Sequence, residues 1–196
     1  VTEFTTRIAI VLGWWCLSGT LAHHFQDADR RIIVIQHFAL GRLADEFIVS
    51  RSDESKALGV GMAEPYFQAR EIIEKNGIEV FSSNYNLYGD MSWRVMETLR
   101  IMMGEDKVEV YSVDEAFINM DDVPFEQLHK SAVQLKETVE RWTGVEVSVG
   151  IAPTKTLSKV ANHIAKKDKA ATHCVTVLDT MESVQEALCN TPVREI

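Results

Sequence analysis

Val108-Glu109-Val110-Tyr111-Ser112-Val113-Asp114-Glu115-Ala116-Phe117-Ile118-Asn119-Met120 is the stretch on which the fold turns. Two short apolar runs, Val108 to Val113 and Ala116 to Met120, flank an acidic pair, as a β-hairpin requires. Turn chemistry alone favours Asn-Gly or Asp-Gly at such a place, so the second carboxylate is not explained by the turn. Two readings of Asp114 and Glu115 are open. They are a solvated acidic turn, or they are oxygen donors for a hard divalent cation such as Mg²⁺, which phosphoryl-transfer sites hold with one or two carboxylates plus substrate phosphates. An Asp-Glu pair alone does not choose between them.

Working outward, Phe125, Leu128, Ala132, Leu135, Val139 and Trp142 form a helical stripe, followed by a strand over Val145 to Ile151. Thr154 to Ala165 reads as a helix, Val175 to Leu178 as a strand and Val184 to Leu188 as a helix. Upstream, Tyr88, Met91, Val95, Leu99 and Met102 recur at helical spacing. Ile78 to Phe81 precedes them as a strand. Pro65 opens a helix that Asn76-Gly77 ends, and Ser52 to Leu58 is a shorter one closed by Gly59. The order from Ile78 is β, α, β-hairpin, α, β, α, β. It predicts an α/β (α+β) sandwich of the ferredoxin-like kind with helices on one face of the sheet.

Patterning is weaker before Phe47. Arg30 to Ile35 reads as a buried strand, being rich in β-branched residues. Ile8 to Ala22 is too short to span a bilayer, and reads either as a buried strand or helix or as a cleaved signal peptide behind Arg7.

A chain of 196 residues has room for one domain, or one domain and part of another. Its 25% charged and 46% hydrophobic residues match soluble globular domains and exclude a disordered or fibrous class. The net charge of -9 argues against a phosphate-backbone binder, yet Lys155, Lys159, Lys166, Lys167 and Lys169 crowd one segment with only Asp168 against them. Lys155, Lys159, His163 and Lys166 share one helix face, opposite Leu157, Val160, Ala161 and Ile164. That stripe is a solvated face or a phosphate-binding one. Cys16, Cys174 and Cys189 lack zinc-site spacing and suit a reducing cytoplasm.

Read together, these words carry a resemblance. Ser112-Val113-Asp114-Glu115-Ala116-Phe117 resembles the S-[IV]-D-E-[AV]-[FY] palm motif of Y-family DNA polymerases. Val149-Gly150-Ile151-Ala152-Pro153-Thr154-Lys155-Thr156-Leu157, with Lys159 to Lys167, is similar to that family's G-I-[AS]-x-x-K-x-x-[AS]-K-x-A block. Phe81-Ser82-Ser83-Asn84-Tyr85, Leu87-Tyr88, Asp90-Met91-Ser92 and Ser50-Arg51-Ser52-Asp53-Glu54-Ser55-Lys56-Ala57-Leu58-Gly59 resemble its UmuC branch. The resemblance covers about Ile48 to Ile196.

The resemblance implies translesion DNA synthesis in the SOS response to DNA damage. Asp114 and Glu115 become the palm carboxylates that hold Mg²⁺, Lys166 a contact to the incoming triphosphate, Lys56 a fingers residue reaching the same phosphates, and Ser50 a neighbour of the nucleotide. Lys155 and Lys159 become DNA or phosphate contacts. Implied partners are damaged primer-template DNA, deoxynucleoside triphosphates, a UmuD-type accessory subunit and a recombinase filament, in the cytoplasm and away from any membrane. The implied organisation is 1–47 without family resemblance, 48–76 partial fingers, 77–180 palm, and 181–196 the start of a truncated thumb.

The departures carry weight too. The family's D-x-[ND]-x-[FY]-[FY]-A-x-[CV]-E segment, which supplies a further metal-binding Asp, is not found, and no family word surrounds Asp27 and Asp29 beside His23 and His24. Catalysis is therefore expected to be impaired. Three alternatives are carried forward. A product of a disrupted polymerase gene would keep only residual DNA or partner binding. A nucleotidyl cyclase needs G-G-[DE]-E-F, where Ser112 and Val113 stand instead of the glycines. An RNA-binding module needs exposed strand aromatics, of which Val108 to Val113 offers Tyr111 alone.

Overall fold

The computed structural model describes residues 7–13, 31–37 and 46–192. In chain order the elements are β1 (Ile8–Gly13), β2 (Ile32–His37), β3 (Glu46–Arg51), α1 (Asp53–Ala57), α2 (Tyr66–Asn76), β4 (Glu79–Ser82) and α3 (Tyr85–Met103). There follow β5 (Val108–Val110), β6 (Glu115–Asn119), α4 (Leu128–Thr143), β7 (Val147–Ala152), α5 (Lys155–Lys167), α6 (Lys169–Thr172), β8 (Val175–Val177) and α7 (Met181–Asn190). Two compact units result, one of Val1–Trp14 with Gly89–Ile196, the other of Trp15–Tyr88.

The first unit holds a sheet in the order β5-β6-β1-β7-β8. β1 is antiparallel to β6 on one side and to β7 on the other, while β8 joins β7 in parallel. Two β-α-β paths interlock: β1 reaches β5 through α3, and β6 reaches β7 through α4, each pair enclosing a strand of the other. That is the ferredoxin-like arrangement. Its leading strand is not the one expected from Ile78 to Phe81. β4 lies in the other sheet, parallel to β2, and Ile8–Gly13 takes the centre instead. A short apolar run records its own period and not its partners; Ile8-Ala9-Ile10-Val11-Leu12 has the continuous apolar character expected of a strand covered on both faces. The strand reading of Ile8 holds to Gly13. The rest of that stretch to Ala22 lies outside the described residues.

Every residue of β7 is buried, so both faces of the sheet are covered there. One face meets α5. A Cβ on Gly150 would sit 2.3 Å from Asn162 N and 2.4 Å from Ser158 O, and Ala152 joins Val160, Ala161, Leu178, Val184 and Ala187 in one core. The other face, with Val149 and Ile151, meets α4, whose Leu128, Ala132, Leu135 and Val139 are buried. Helices on both faces replace the expected single layer, because α5 brings an apolar stripe of its own. Each buried Leu, Ile or Val among them contributes about 1.5–3 kcal/mol, more than a surface ion pair.

The second unit is a sheet ordered β3-β2-β4 over α1 and α2. Ile33, Ile48, Val60, Ala69, Ile73 and Ile78 form its core. Ser52 caps α1 by accepting from Ser55 N at 3.2 Å, and Gly77, at φ 60°, ends α2 where its lack of a Cβ is needed. Among the described residues no helix is long and apolar enough to cross a membrane.

Candidate active site: an acidic hairpin faced by lysines

Alternation brings β5 and β6 together in register, Val108 opposite Ile118 and Val110 opposite Ala116. Tyr111 N and Ser112 N both donate to Glu115 O, at 2.9 and 3.1 Å, and close the turn. Asp114 therefore sits in the turn and Glu115 opens β6, as the flanking apolar runs predict. Ser112 Oγ donates to Asp114 Oδ1 at 2.6 Å and accepts from Asp114 N at 3.4 Å, which aims that carboxylate.

The lysine stripe begins where α5 starts. Thr154 caps the helix by accepting from Leu157 N at 3.2 Å. The fully buried pair Ser148 and Asn162 pins its middle to β7: Ser148 Oγ donates to Asn162 Oδ1 at 3.0 Å, and Asn162 Nδ2 donates to Ser148 O at 2.9 Å. Held this way, Lys155 and Lys159 reach the hairpin. Lys155 Nζ lies 2.6 and 2.5 Å from the Glu109 oxygens and 5.1 Å above the Phe117 ring. Lys159 Nζ lies 3.3 Å from Glu115 Oε2 and 4.9 Å above the Tyr111 ring. The two rings meet edge to face with centroids 5.3 Å apart.

These contacts are not equal. Lys155 and Glu109 are about half exposed, where such a pair contributes roughly 0.2–1 kcal/mol. The Glu115 side chain is only 18% exposed, and the Tyr111 ring adds cation-π attraction to its partner lysine. Lys166 lies seven residues beyond Lys159, which returns it to within about 20° of the same direction, some two turns along α5. Ser50 and Lys56 belong to the second unit, where Ser50 is buried in β3 and Lys56 Nζ contacts Asp53 Oδ1 at 2.7 Å.

Sequence reasoning passed over Glu109, Phe117 and the orienting role of Ser112. A signal existed for each: Glu109 and Tyr111 alternate onto one face of the hairpin, and Ser-x-Asp is a local capping pattern. Sequence alone could not show that this face meets α5.

The register of β1 completes the geometry. Leu12 stands opposite Glu115, and Val11 opposite Ala116. No residue of Ile8–Gly13 carries a carboxylate. Asp27, Asp29, His23 and His24 lie outside the described residues, and among the described residues no group of three or more His, Cys, Asp or Glu side chains is placed to hold a metal. Asp114 and Glu115 with Lys159 leave one formal negative charge. That set does not fit a pair of divalent ions.

The impB/mucB/samB family matches residues 26–163. The chain belongs to this family. Its match begins upstream of Ile48, the first residue at which family words are readable by eye. Among the family's relatives, the UmuC protein of Salmonella typhimurium is 41% identical over 153 residues, 78% of this chain and 36% of its own. ImpB of Salmonella typhimurium is 44% identical over 128 residues, 63% of this chain and 29% of its own. The chain thus spans about a third of the length of these relatives. An insertion ternary complex of Dbh DNA polymerase superposes with a TM-score of 0.80 at 24% identity, covering 97% of this chain and 53% of that one. DinB from Sulfolobus solfataricus gives 0.79 at 24% identity, with the same coverages. These likenesses carry the fold.

Proposed function

We propose that this chain is the palm and part of the fingers of a UmuC-type translesion DNA polymerase, binding primer-template DNA and a deoxynucleoside triphosphate with little or no catalysis of its own. The observation that carries this reading is the Asp114-Glu115 hairpin of a ferredoxin-like sheet, met by the lysine face of α5. In this reading the first unit supplies the palm and the second supplies fingers residues. Mg²⁺ enters with the triphosphate, and the chemistry it supplies is charge neutralisation on the phosphates. Lys166 contacts that triphosphate as a point charge, on the face that Lys155 and Lys159 turn toward the hairpin. Those two exchange Glu109 and Glu115 for phosphate only when a strand or nucleotide arrives. Ser50 and Lys56 are the nucleotide-binding candidates of the second unit. Damaged DNA, a UmuD-type subunit and a recombinase filament are the partners, and the cytoplasm the compartment.

Two measurements test it. Lys166→Ala should weaken Mg²⁺-dependent deoxynucleotide binding by about tenfold to a hundredfold, the scale of one lost charge-assisted contact of roughly 1.5–3 kcal/mol. Unchanged affinity removes the nucleotide role of Lys166. Primer extension with Mg²⁺ and all four deoxynucleotides should give no product. Extension that vanishes with Asp114→Ala would instead make the chain a working polymerase.

The absent carboxylate on β1 favours a second reading, in which a disrupted polymerase gene leaves a chain that holds DNA or a partner and no nucleotide. DNA binding that is retained without measurable triphosphate binding would select it.

A further inference from the structure

One aromatic ring of the hairpin stands where burial does not explain it. Tyr111 is 58% exposed, while Phe117, its edge-to-face neighbour, is 4% exposed. A ring in water gains little from the hydrophobic effect, so its gain here is a contact of another kind. Lys159 Nζ supplies it, 4.9 Å above the ring centroid and inside the roughly 6 Å reach of cation-π attraction. Two contacts fix the ring in that place. Tyr111 N donates to Glu115 O at 2.9 Å, which holds the backbone beside the turn, and the two rings brace one another at an interplanar angle of 64°.

Lys159 has a second partner, Glu115 Oε2 at 3.3 Å, and an arriving phosphate acts differently on the two. A phosphate and a carboxylate are rivals for one ammonium, because each brings negative charge and acceptors to the same donors. The ring face brings no net charge against an incoming phosphate and leaves the outward donors of the ammonium open. We infer that Tyr111 is the positioning residue of Lys159: it keeps the ammonium over the hairpin after a backbone phosphate of the nucleic acid has displaced Glu115. Without the ring, the released lysine regains the rotamer freedom of its long stem, and binding must remove that freedom again. Phe117 stands in the same relation to Lys155, whose Nζ lies 5.1 Å above its ring. Phe117 is also core, so Tyr111 is the position at which the effect is read apart from folding. The inference rests on the polymerase reading of the chain, which makes nucleic acid the source of the phosphate.

The test is a double-mutant cycle on the full chain, with binding of a fluorescein-labelled primer-template duplex followed by anisotropy in metal-free, low-salt buffer. Tyr111→Leu should weaken binding about threefold, the scale of an exposed cation-π contact. Tyr111→Phe keeps the ring and should match the parent chain. In a Lys159→Ala background, Tyr111→Leu should add nothing. Carbon-proton spectra of lysine-labelled chain, assigned with Lys159→Ala, should show the Lys159 ε-methylene shifted upfield by the ring in the parent and in Tyr111→Phe, but not in Tyr111→Leu. Equal losses in both Tyr111 variants overturn the inference, because the hydroxyl and not the ring face then matters. A Tyr111→Leu loss that persists without Lys159 overturns it too, since the ring then touches DNA directly. So does unchanged binding by Tyr111→Leu, or an ε-methylene with no upfield shift in the parent. A parent chain that binds no duplex sinks the polymerase reading and this inference with it, whereas duplex binding without coupling in the cycle sinks this inference alone.

Discussion

At the residue scale, side chains of one type behave differently according to where the fold leaves them. Cys174 and Cys189 show this plainly. Burial is the main cause that pushes the Cys174 thiol above its ordinary range, with Lys136 and Lys169 opposing it in part. Cys189 is exposed near the end of α7. The thiolate is the reacting form, so at pH 7.5 a thiol reagent should label Cys189 well before Cys174. The sign of the linked stability follows. A neutral thiol favoured by the fold contributes stability that is present below the unfolded thiol's pKa and lost as pH rises through the raised native value. Labelling of Cys174 should therefore lag Cys189 and accelerate only at pH above the usual thiol range; mass spectrometry of timed quenches reads both, and equal rates at pH 7.5 would refute the assignment.

At the element scale, the placement of the lysines depends on how α5 lies on β7. Gly150 and the Ser148-Asn162 pair fix that contact. Gly150→Ala forces a methyl into backbone atoms 2.3 and 2.4 Å away, so the helix must shift. Overpacking of this kind costs typically 1–3 kcal/mol, and sometimes more. Asn162→Ala leaves Ser148 O and Ser148 Oγ without their described partner, at about 1–3 kcal/mol. Urea denaturation should place both variants at least about 1 kcal/mol below the parent chain. A Gly150→Ala chain of parental stability would mean that α5 does not sit on β7 as described.

At the scale of the whole molecule, the chain closes two cores. The second unit gathers Ile33, Ile48, Val60, Ala69, Ile73 and Ile78 around its own sheet, while the first buries Ile118, Met120, Leu128, Leu135 and Ile151 around another. A single two-state transition is not expected of such a chain. Ile73→Ala should lower the stability of the second unit by about 2–5 kcal/mol. Hydrogen exchange should then quicken across β2, β3 and β4 while protection of β6 and β7 is kept. Equal loss of protection in both sheets would show one cooperative unit.

Much of this protein was determined by its sequence alone. The hairpin around Asp114 and Glu115, the stripes of α3, α4 and α5, the caps at Ser52 and Thr154 and the stop at Gly77 are local matters, set by period, turn chemistry and capping within a few residues. The acidic pair and the lysine stripe were both readable as candidates, each with two meanings. Only the tertiary structure chose partners for them. It set Lys159 against Glu115, Lys155 against Glu109, and Ile8–Gly13 rather than β4 in the centre of the sheet, with Leu12 opposite Glu115. The physical reason is that the pairing of Leu12 with Glu115 links residues about a hundred positions apart, and the contact of Lys155 with Glu109 residues 46 apart. Local propensity carries no term for such contacts, and they form only when burial of both sheet faces brings the segments together.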